Sequence, residues 1–469
     1  MQIVKKIKII VGLLLVIPTV TNANVSEYQL DNGLKLIVKE DHRAPVVVSQ
    51  VWYKVGSSYE HNGITGISHV LEHMMFKGTE NLGPNEFSQI IAANGGRENA
   101  FTGQDYTAYF QTLEKDRLEV SFRLEAERMR KLVIDEAELL KEREVVAEER
   151  RMRTDDNPQA LVHEAFNATA FVNSPYHHPV IGWMSDINNY QADDLRAWYQ
   201  NWYAPNNATV VVVGDVDPEQ VYQLAKQYFG PLKPETTAQL KPQTEIEQRG
   251  KRTIEIKAPA ELPYLMMGWK VPVVTTAEQD WEPYALEVLA GILDGGNSAR
   301  FARDLVRGDE VAASVGSSYG LFSRLADVFM IIGTPARGKT IEQLQSAIME
   351  QVTKLQTDLV SEQELNRVKA QVVANTVYEL DSVFYQAMQI GMLETIGLDW
   401  RLVDAYVDNV QAVTAEQIQA VAKKYFIDKT LTVAELIPLP IDDNNKQAMS
   451  FYSQILLSYF LYARFWHSA

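Results

Sequence analysis

A chain of 469 residues with 46% hydrophobic and 22% charged side chains has the length for about two to four domains and the balance of an ordinary soluble globular protein. Its net charge of −17 leaves no broad basic surface, which excludes the usual nucleic-acid binder. It has no cysteine, so disulfides and thiolate metal sites are excluded and any metal must be held by His, Asp or Glu.

Residues 1–23 read as a secretory signal. Lys5, Lys6 and Lys8 form a basic start, Ile9 to Ile17 is a short apolar core, and Pro18 breaks it. Thr21-Asn22-Ala23 supplies small residues at −3 and −1, so cleavage is expected after Ala23. An uncleaved anchor is the alternative, although the apolar core is short for a span. The expected location is outside the cytoplasm, periplasmic if the source is Gram-negative. A chain free of thiols suits such an oxidising compartment.

The next stretch, 24–230, reads as a first domain of strands and helices. Val25 to Glu40 is a hairpin around Asp31-Asn32-Gly33, and Val46 to Val55 is a strand apolar enough to be central in a sheet. Gly66 to Phe76 reads as a buried helix. On it His69 and His73, four apart, lie on one face, so their rings can converge on one metal ion. Glu72 can reach a water bound to that metal. The pattern is H-x-x-E-H, the inverted zinc-protease motif. Two unligated histidines and a carboxylate would be costly in so apolar a run.

Asn85 to Asn94 is a short helix closed by Gly95-Gly96. Glu98 to Thr102 and Tyr106 to Leu113 read as strands, a candidate edge for an extended peptide. Glu119 to Arg130 and Asp135 to Arg153 are helices. On the second, Glu142 and Glu149 are seven apart and share a face. A two-histidine site needs a third ligand, and this charged helix offers carboxylates for it. Pro158 to Ser185 reads as a looser segment with His163, His177 and His178. Adjacent side chains point apart, so the tandem pair is read as structural. Ala192 to Tyr203 is a helix, Ala208 to Val213 a strand and Pro218 to Phe229 a helix.

Residues 231–252, rich in Pro, Thr, Gln and Lys, read as a linker. The second domain, 253–440, repeats the plan without H-x-x-E-H. Its strands are expected at Thr253 to Ile256, Tyr264 to Val271, Val311 to Phe322, Ala326 to Gly333 and Leu431 to Leu436. Its helices are expected at Asp280 to Leu293, Thr340 to Thr357, Ser361 to Leu380, Ser382 to Gly391 and Thr414 to Tyr425. The tail, 441–469, is apolar and aromatic from Met449 to Trp466 with Arg464 its one charge. It suits contact with a membrane surface or a partner, or packing on the chain itself.

From about Val25 to Pro440 the sequence resembles the M16 metallopeptidases, the inverted-zincin family of pitrilysin, insulin-degrading enzyme and the mitochondrial processing peptidase. The resemblance rests on three runs: Gly66 to His73, Asn94-Gly95-Gly96-Arg97-Glu98-Asn99-Ala100-Phe101-Thr102, and Glu142 to Glu149. Size and signal resemble the short secreted bacterial branch. It implies an α+β fold of two homologous halves, each a mainly antiparallel sheet with helices packed on it, together forming half of a clamshell. It implies one zinc per chain held by His69, His73 and Glu149, with Glu72 as general base. Glu142 would be the carboxylate orienting a ligand, Glu148 the alternative ligand, and Asn99 and Ala100 the strand along which substrate lies.

One departure carries a further expectation. Related sequences place an Arg and a Tyr in the second half that bind substrate. Here Val306 and Ala313 stand in their places, with Arg307 one residue off and Tyr319 six beyond. The resemblance thus implies a zinc endopeptidase of short or unfolded peptides whose homologous, zinc-free partner supplies the pair; a homodimer or monomer is the alternative. A non-catalytic binding or assembly subunit with the same fold is the rival reading.

Overall fold

The computed structural model describes residues 25–238 and 240–441; the signal segment and residues 442–469 of the tail lie outside the described residues. Among the described residues eleven strands form two sheets. The first contains β1 (Val25–Gln29), β2 (Lys35–Glu40), β3 (Val46–Tyr53), β4 (Arg97–Thr102), β5 (Thr107–Glu114) and β6 (Ala208–Gly214), in the order β1-β2-β6-β3-β5-β4. The second contains β7 (Arg252–Pro259), β8 (Tyr264–Val271), β9 (Ala312–Ser318), β10 (Asp327–Pro335) and β11 (Leu431–Leu439), in the order β7-β11-β8-β10-β9. Apart from β1 the two orders correspond strand for strand. Even the one parallel pair recurs, β2 with β6 and β7 with β11, while every other pairing is antiparallel. Among the described residues no helix is long and apolar enough to cross a membrane.

Side chains alternate between the faces of each sheet, so each sheet needs two covers. One face of the first sheet, with Leu36, Val51, Tyr109 and Val210, is covered by neighbouring helices through Leu71, Met74, Phe122 and Leu195. The other face, with Val48, Trp52, Val211 and Val213, is covered from the second half, by Ala387, Met388 and Ile390 of the helix Val383–Ile396. The exchange is mutual. Tyr264, Met266, Ala434 and Leu436 of the second sheet pack under Val162, Phe166 and Ala170 of the first half's helix Pro158–Ala170. Each half therefore lends a helix to the other's sheet. Polar contacts pin the same boundary: Lys35 to Glu394 at 2.6 Å, and Arg324 to Asp105 at 3.0 Å and to the Ser58 hydroxyl at 2.8 Å.

Two glycines permit this exchange. A Cβ at Gly391 would stand 2.1 Å from Trp52 Nε1, and one at Gly268 would stand 2.3 Å from Phe166 Cζ. Gly391→Val is therefore expected to cost about 1–3 kcal/mol through overpacking against a fully buried indole. The check is the urea midpoint; an unchanged midpoint would show that the contact yields freely.

The sequence reading needs correction at several elements, among them the helix expected to end at Gly391, which runs to Ile396. Pro158–Ala170, expected to be loose, is a helix, started by Asn157 accepting from Gln159 and Ala160 amides and by Pro at its first position. Leu402–Ala412, for which no element was expected, is a helix whose Tyr406 and Val410 are buried. The strand expected over Val311 to Phe322 spans only Ala312–Ser318. The charged helix ends as α at Arg150 and continues as a π turn, Arg151–Asp155.

Candidate metal centre

The helix Ile67–Met74 buries Ile67, Val70, Leu71 and Met74 on one stripe and turns His69, Glu72 and His73 to the other side. Its start is held by the buried carboxylate of Glu60, which accepts from the Gly66 amide at 2.6 Å and the Ser68 amide at 2.9 Å. Burial pushes that carboxyl up to about 7 even though two amide donors favour its ionised form. The charged helix, Glu136–Arg150, packs across it. Its inward stripe is Leu139, Glu142, Val146 and Arg150, so Glu142 and the neighbouring Glu149 face the histidines.

His69, His73 and Glu149 each offer a ligand atom within 4.8 Å of the others. Glu149 Oε2 lies 3.8 Å from His69 Nε2 and 3.5 Å from His73 Nε2. Tetrahedral bonds of about 2.0–2.1 Å put ligand atoms about 3.3 Å apart, so two imidazoles and one carboxylate at this spacing fit zinc with a fourth position open. The donor types fit as well, since nitrogen and oxygen are what this cysteine-free chain can offer. His73 Nδ1 contacts Glu142 Oε2 at 3.2 Å, and the other Glu142 oxygen accepts from Lys77 at 2.6 Å. Glu149 Oε1 is held by Arg153 at 2.6 Å, leaving Oε2 toward the histidines.

The electrostatics describe a centre built for positive charge. Burial, then the neighbouring ring, holds His69 down to about 4. Burial also opposes charge on His73, but bonding to Glu142 and Glu149 outweighs it and lifts the ring to about 9. Burial opposes charge on Glu149 too; His73, His69 and Arg153 overcome it and bring the carboxyl down to about 2. Glu72 is raised by burial, against the hydroxyl of Thr102, which donates to its Oε2 at 2.5 Å.

The structure brings His69, Glu72, His73, Glu142 and Glu149 together. Glu148 points away, is mostly exposed, and pairs with Arg151. Asn99 and Ala100 lie on β4, an edge strand of the first sheet, and Asn99 Oδ1 accepts from the Ala100 amide at 2.9 Å. His163 is elsewhere, 3.2 Å from the Tyr264 hydroxyl, and His177 and His178 meet edge to face with ring centroids 4.1 Å apart. Tyr319 donates to the Pro272 carbonyl at 2.7 Å and Arg307 to the Asn297 carbonyl. Thr102, Lys77 and Arg153 had no role in the sequence reading. Thr102 closes the Asn99-Ala100-Phe101-Thr102 run, the one signal that could have found it. Thr102→Val, which keeps shape and removes the donor, is expected to lower kcat for peptide hydrolysis about tenfold, with Thr102→Ser close to wild type.

Family profiles match both halves: the one described as Insulinase (Peptidase family M16) over residues 35–182, and the one described as Peptidase M16 inactive domain over residues 189–372. The zinc protease PqqE of Helicobacter pylori is 36% identical over 357 residues, 75% of this chain and 79% of that protein. A crystal structure of a protease from Helicobacter pylori matches with a TM-score of 0.84 and 33% identity, over 89% of this chain and all of that one. The periplasmic protease PqqL of Escherichia coli matches with a TM-score of 0.75 and 20% identity, over 90% of this chain but 49% of that one. A shared fold in two halves, both halves matched by family profiles and a relative alike over most of its length place the chain in peptidase family M16.

Proposed function

We propose that the chain is a zinc-dependent endopeptidase acting on short or unfolded peptides, with one zinc per chain on His69, His73 and Glu149. The observation that carries this is the three-donor group with the carboxylate of Glu72 beside it. Zinc, when bound, supplies Lewis acidity and lowers the pKa of a coordinated water. Glu72 is the group that takes the proton of the attacking water and passes it to the leaving amine. Thr102 fixes the rotamer of that carboxylate. Glu142 orients His73 through Nδ1, and Lys77 holds Glu142 in place. β4 offers an open edge on which an extended peptide can pair past Asn99 and Ala100, which favours unfolded substrates over folded ones.

The partner reading follows from Val306 and Ala313, the positions where related sequences carry Arg and Tyr. Arg307 and Tyr319, the nearest residues of those types, each donate to a backbone carbonyl of the second half, which supports a pair supplied from elsewhere. The chain then forms half of a clamshell, completed by a homologous zinc-free subunit. That the Escherichia coli relative has about twice this length supports a two-unit assembly. Location outside the cytoplasm is proposed from Lys5 to Ala23, with the apolar tail as a candidate membrane-surface contact.

The test is hydrolysis of an unstructured quenched-fluorescent peptide by the purified chain, with zinc measured in the same sample. Stoichiometric zinc with turnover supports the enzyme. Losing an oxyanion donor costs about 10²–10³ in rate, so turnover that rises by that factor on adding a zinc-free homologue supports the heterodimer. Full activity of the lone chain overturns the partner. No zinc and no turnover would favour the binding-subunit reading, which the inactive-domain profile over residues 189–372 also invites.

A further inference from the structure

The strand correspondence gives the metal centre a counterpart in the second half. His69 stands sixteen residues beyond Tyr53, the last residue of β3, and Glu287 stands sixteen beyond Val271, the last residue of β8. By the same spacing Glu72 corresponds to Ala290 and His73 to Gly291, on the helix Glu282–Asp294. Glu142 and Glu149 are the seventh and fourteenth residues of their helix. Val368 and Asn375 are the seventh and fourteenth of the helix Glu362–Glu379.

All five counterparts line one cavity of about 490 Å³. Two imidazoles and three carboxylates have become Glu and Gly, and Ala, Val and Asn, and they leave a cavity. No chelating set remains, since His69, His73 and Glu149 are the group of that kind among the described residues. What remains is charge of one sign. Glu287, Asp294 and Glu379 line the cavity, and no lysine or arginine does. Glu287 accepts from the Tyr406 hydroxyl at 3.4 Å, and burial, reinforced by Glu379, pushes its carboxyl up to about 7. Beside these carboxylates the walls are apolar, formed by Leu321, Val372, Met392 and Leu393. Ser317 and Ser318 join the lining from β9, an edge strand of the second sheet.

We propose that this cavity binds a primary ammonium on an aliphatic stem, as in a lysine side chain of a peptide, with Glu287 as its anchoring carboxylate. A half-buried carboxylate facing a cavity with no lysine or arginine in its lining gains most from a cationic ligand, and apolar walls cover the methylenes. The volume lies within the range of about 300–1,000 Å³ typical of small-ligand pockets. As a substrate-selecting pocket this rests on the peptidase reading; as a binding site it does not.

The experiment measures binding to the full chain carrying Glu72→Gln, which blocks turnover. The probes are 12-residue peptides with a C-terminal fluorophore and no other charged group: one N-acetylated with a single lysine, one N-acetylated with norleucine in its place, and the norleucine peptide with a free amino terminus. The lysine peptide is expected to bind about tenfold more tightly than its acetylated norleucine twin. Glu287→Gln is expected to erase that difference while zinc content and melting temperature stay unchanged. Ala290→Trp, which fills the cavity, gives the same loss by a second route. Equal affinities of the two acetylated peptides, or a lysine preference that survives both substitutions, would overturn the proposal. A preference for the free-amine norleucine peptide over the lysine peptide would reassign the ammonium to a chain terminus and overturn the side-chain assignment. Because binding is read without turnover, an inactive wild-type chain would leave this result standing and sink only the peptidase reading.

Discussion

Glu72→Gln is expected to lower kcat/KM for an unstructured peptide by about 10³, within the range of 10²–10⁴ that positioned acid–base catalysis supplies, while zinc stays stoichiometric. The substitution isolates one property. Glutamine has the shape of glutamate, and its amide oxygen can still accept from Thr102, which now holds the Glu72 carboxylate at 2.5 Å. The neighbouring donors, His69 and His73, keep their helix and their spacing to Glu149. What the amide cannot do is take a proton. Burial already favours the protonated form of Glu72, so its carboxylate is a stronger base than an exposed one. A matched melting temperature and zinc content would exclude a structural cause for the loss. A variant within tenfold of wild type would remove Glu72 from the role of base.

The second half has kept its place without keeping a metal site, and the packing gives a reason. Val48, Trp52, Val211 and Val213 form a buried face of the first sheet whose cover comes from the helix Val383–Ile396 of the second half. Removing the second half would expose that face behind β3 and β6, the strands at the centre of the first sheet. Fully burying one such side chain is worth about 1.5–3 kcal/mol, so several together are a large share of a domain's stability. The second sheet depends on Phe166 and its helix in the same way. The mutual exchange ties two sites to one folding unit while leaving each free to diverge in its lining.

How much of this was legible in the sequence depends on the range of the forces involved. His69 and His73 could be placed on one face because helical periodicity is local. The hairpin of β1 and β2 followed from Asp31-Asn32-Gly33, and the buried strand β3 from its run of apolar residues. Glu149 was different. Its helix carries many carboxylates, and the family resemblance, not the pattern, singled it out; only the inward stripe of Leu139, Glu142 and Val146 shows why that face matters. The helix Pro158–Ala170 was missed although Asn157 and Pro158 mark its start, because its apolar face is completed by the other half's sheet. The parallel pairings of β2 with β6 and β7 with β11, and the contact of Thr102 with Glu72, join residues by tertiary geometry. No local pattern encodes them.

The second large effect is on the metal itself. His69→Ala, His73→Ala and Glu149→Ala are each expected to yield a folded chain that retains almost no zinc after dialysis and shows no peptide hydrolysis above background. Each removes one of three donors from a set with no fourth side chain in reach among the described residues. Each also leaves its partners worse placed. Without Glu149, the two rings at 4.8 Å lose the carboxylate that both face. Without His73, Glu149 loses its nearest imidazole and Glu142 is left with Lys77 alone. Glu142→Gln should be milder, because it touches the ring of His73 and not the metal. Loss of such a supporting contact typically weakens metal affinity by about 10–100-fold, so added zinc should restore its activity and not that of the three ligand variants. Glu148→Ala is the control, one residue from a ligand but turned outward to Arg151. It should bind zinc and turn over as wild type does. Zinc retained by Glu149→Ala but lost by Glu148→Ala would shift the third ligand by one residue and overturn the register argued here. Zinc retained by all the single variants would mean that the metal, if one binds, sits elsewhere.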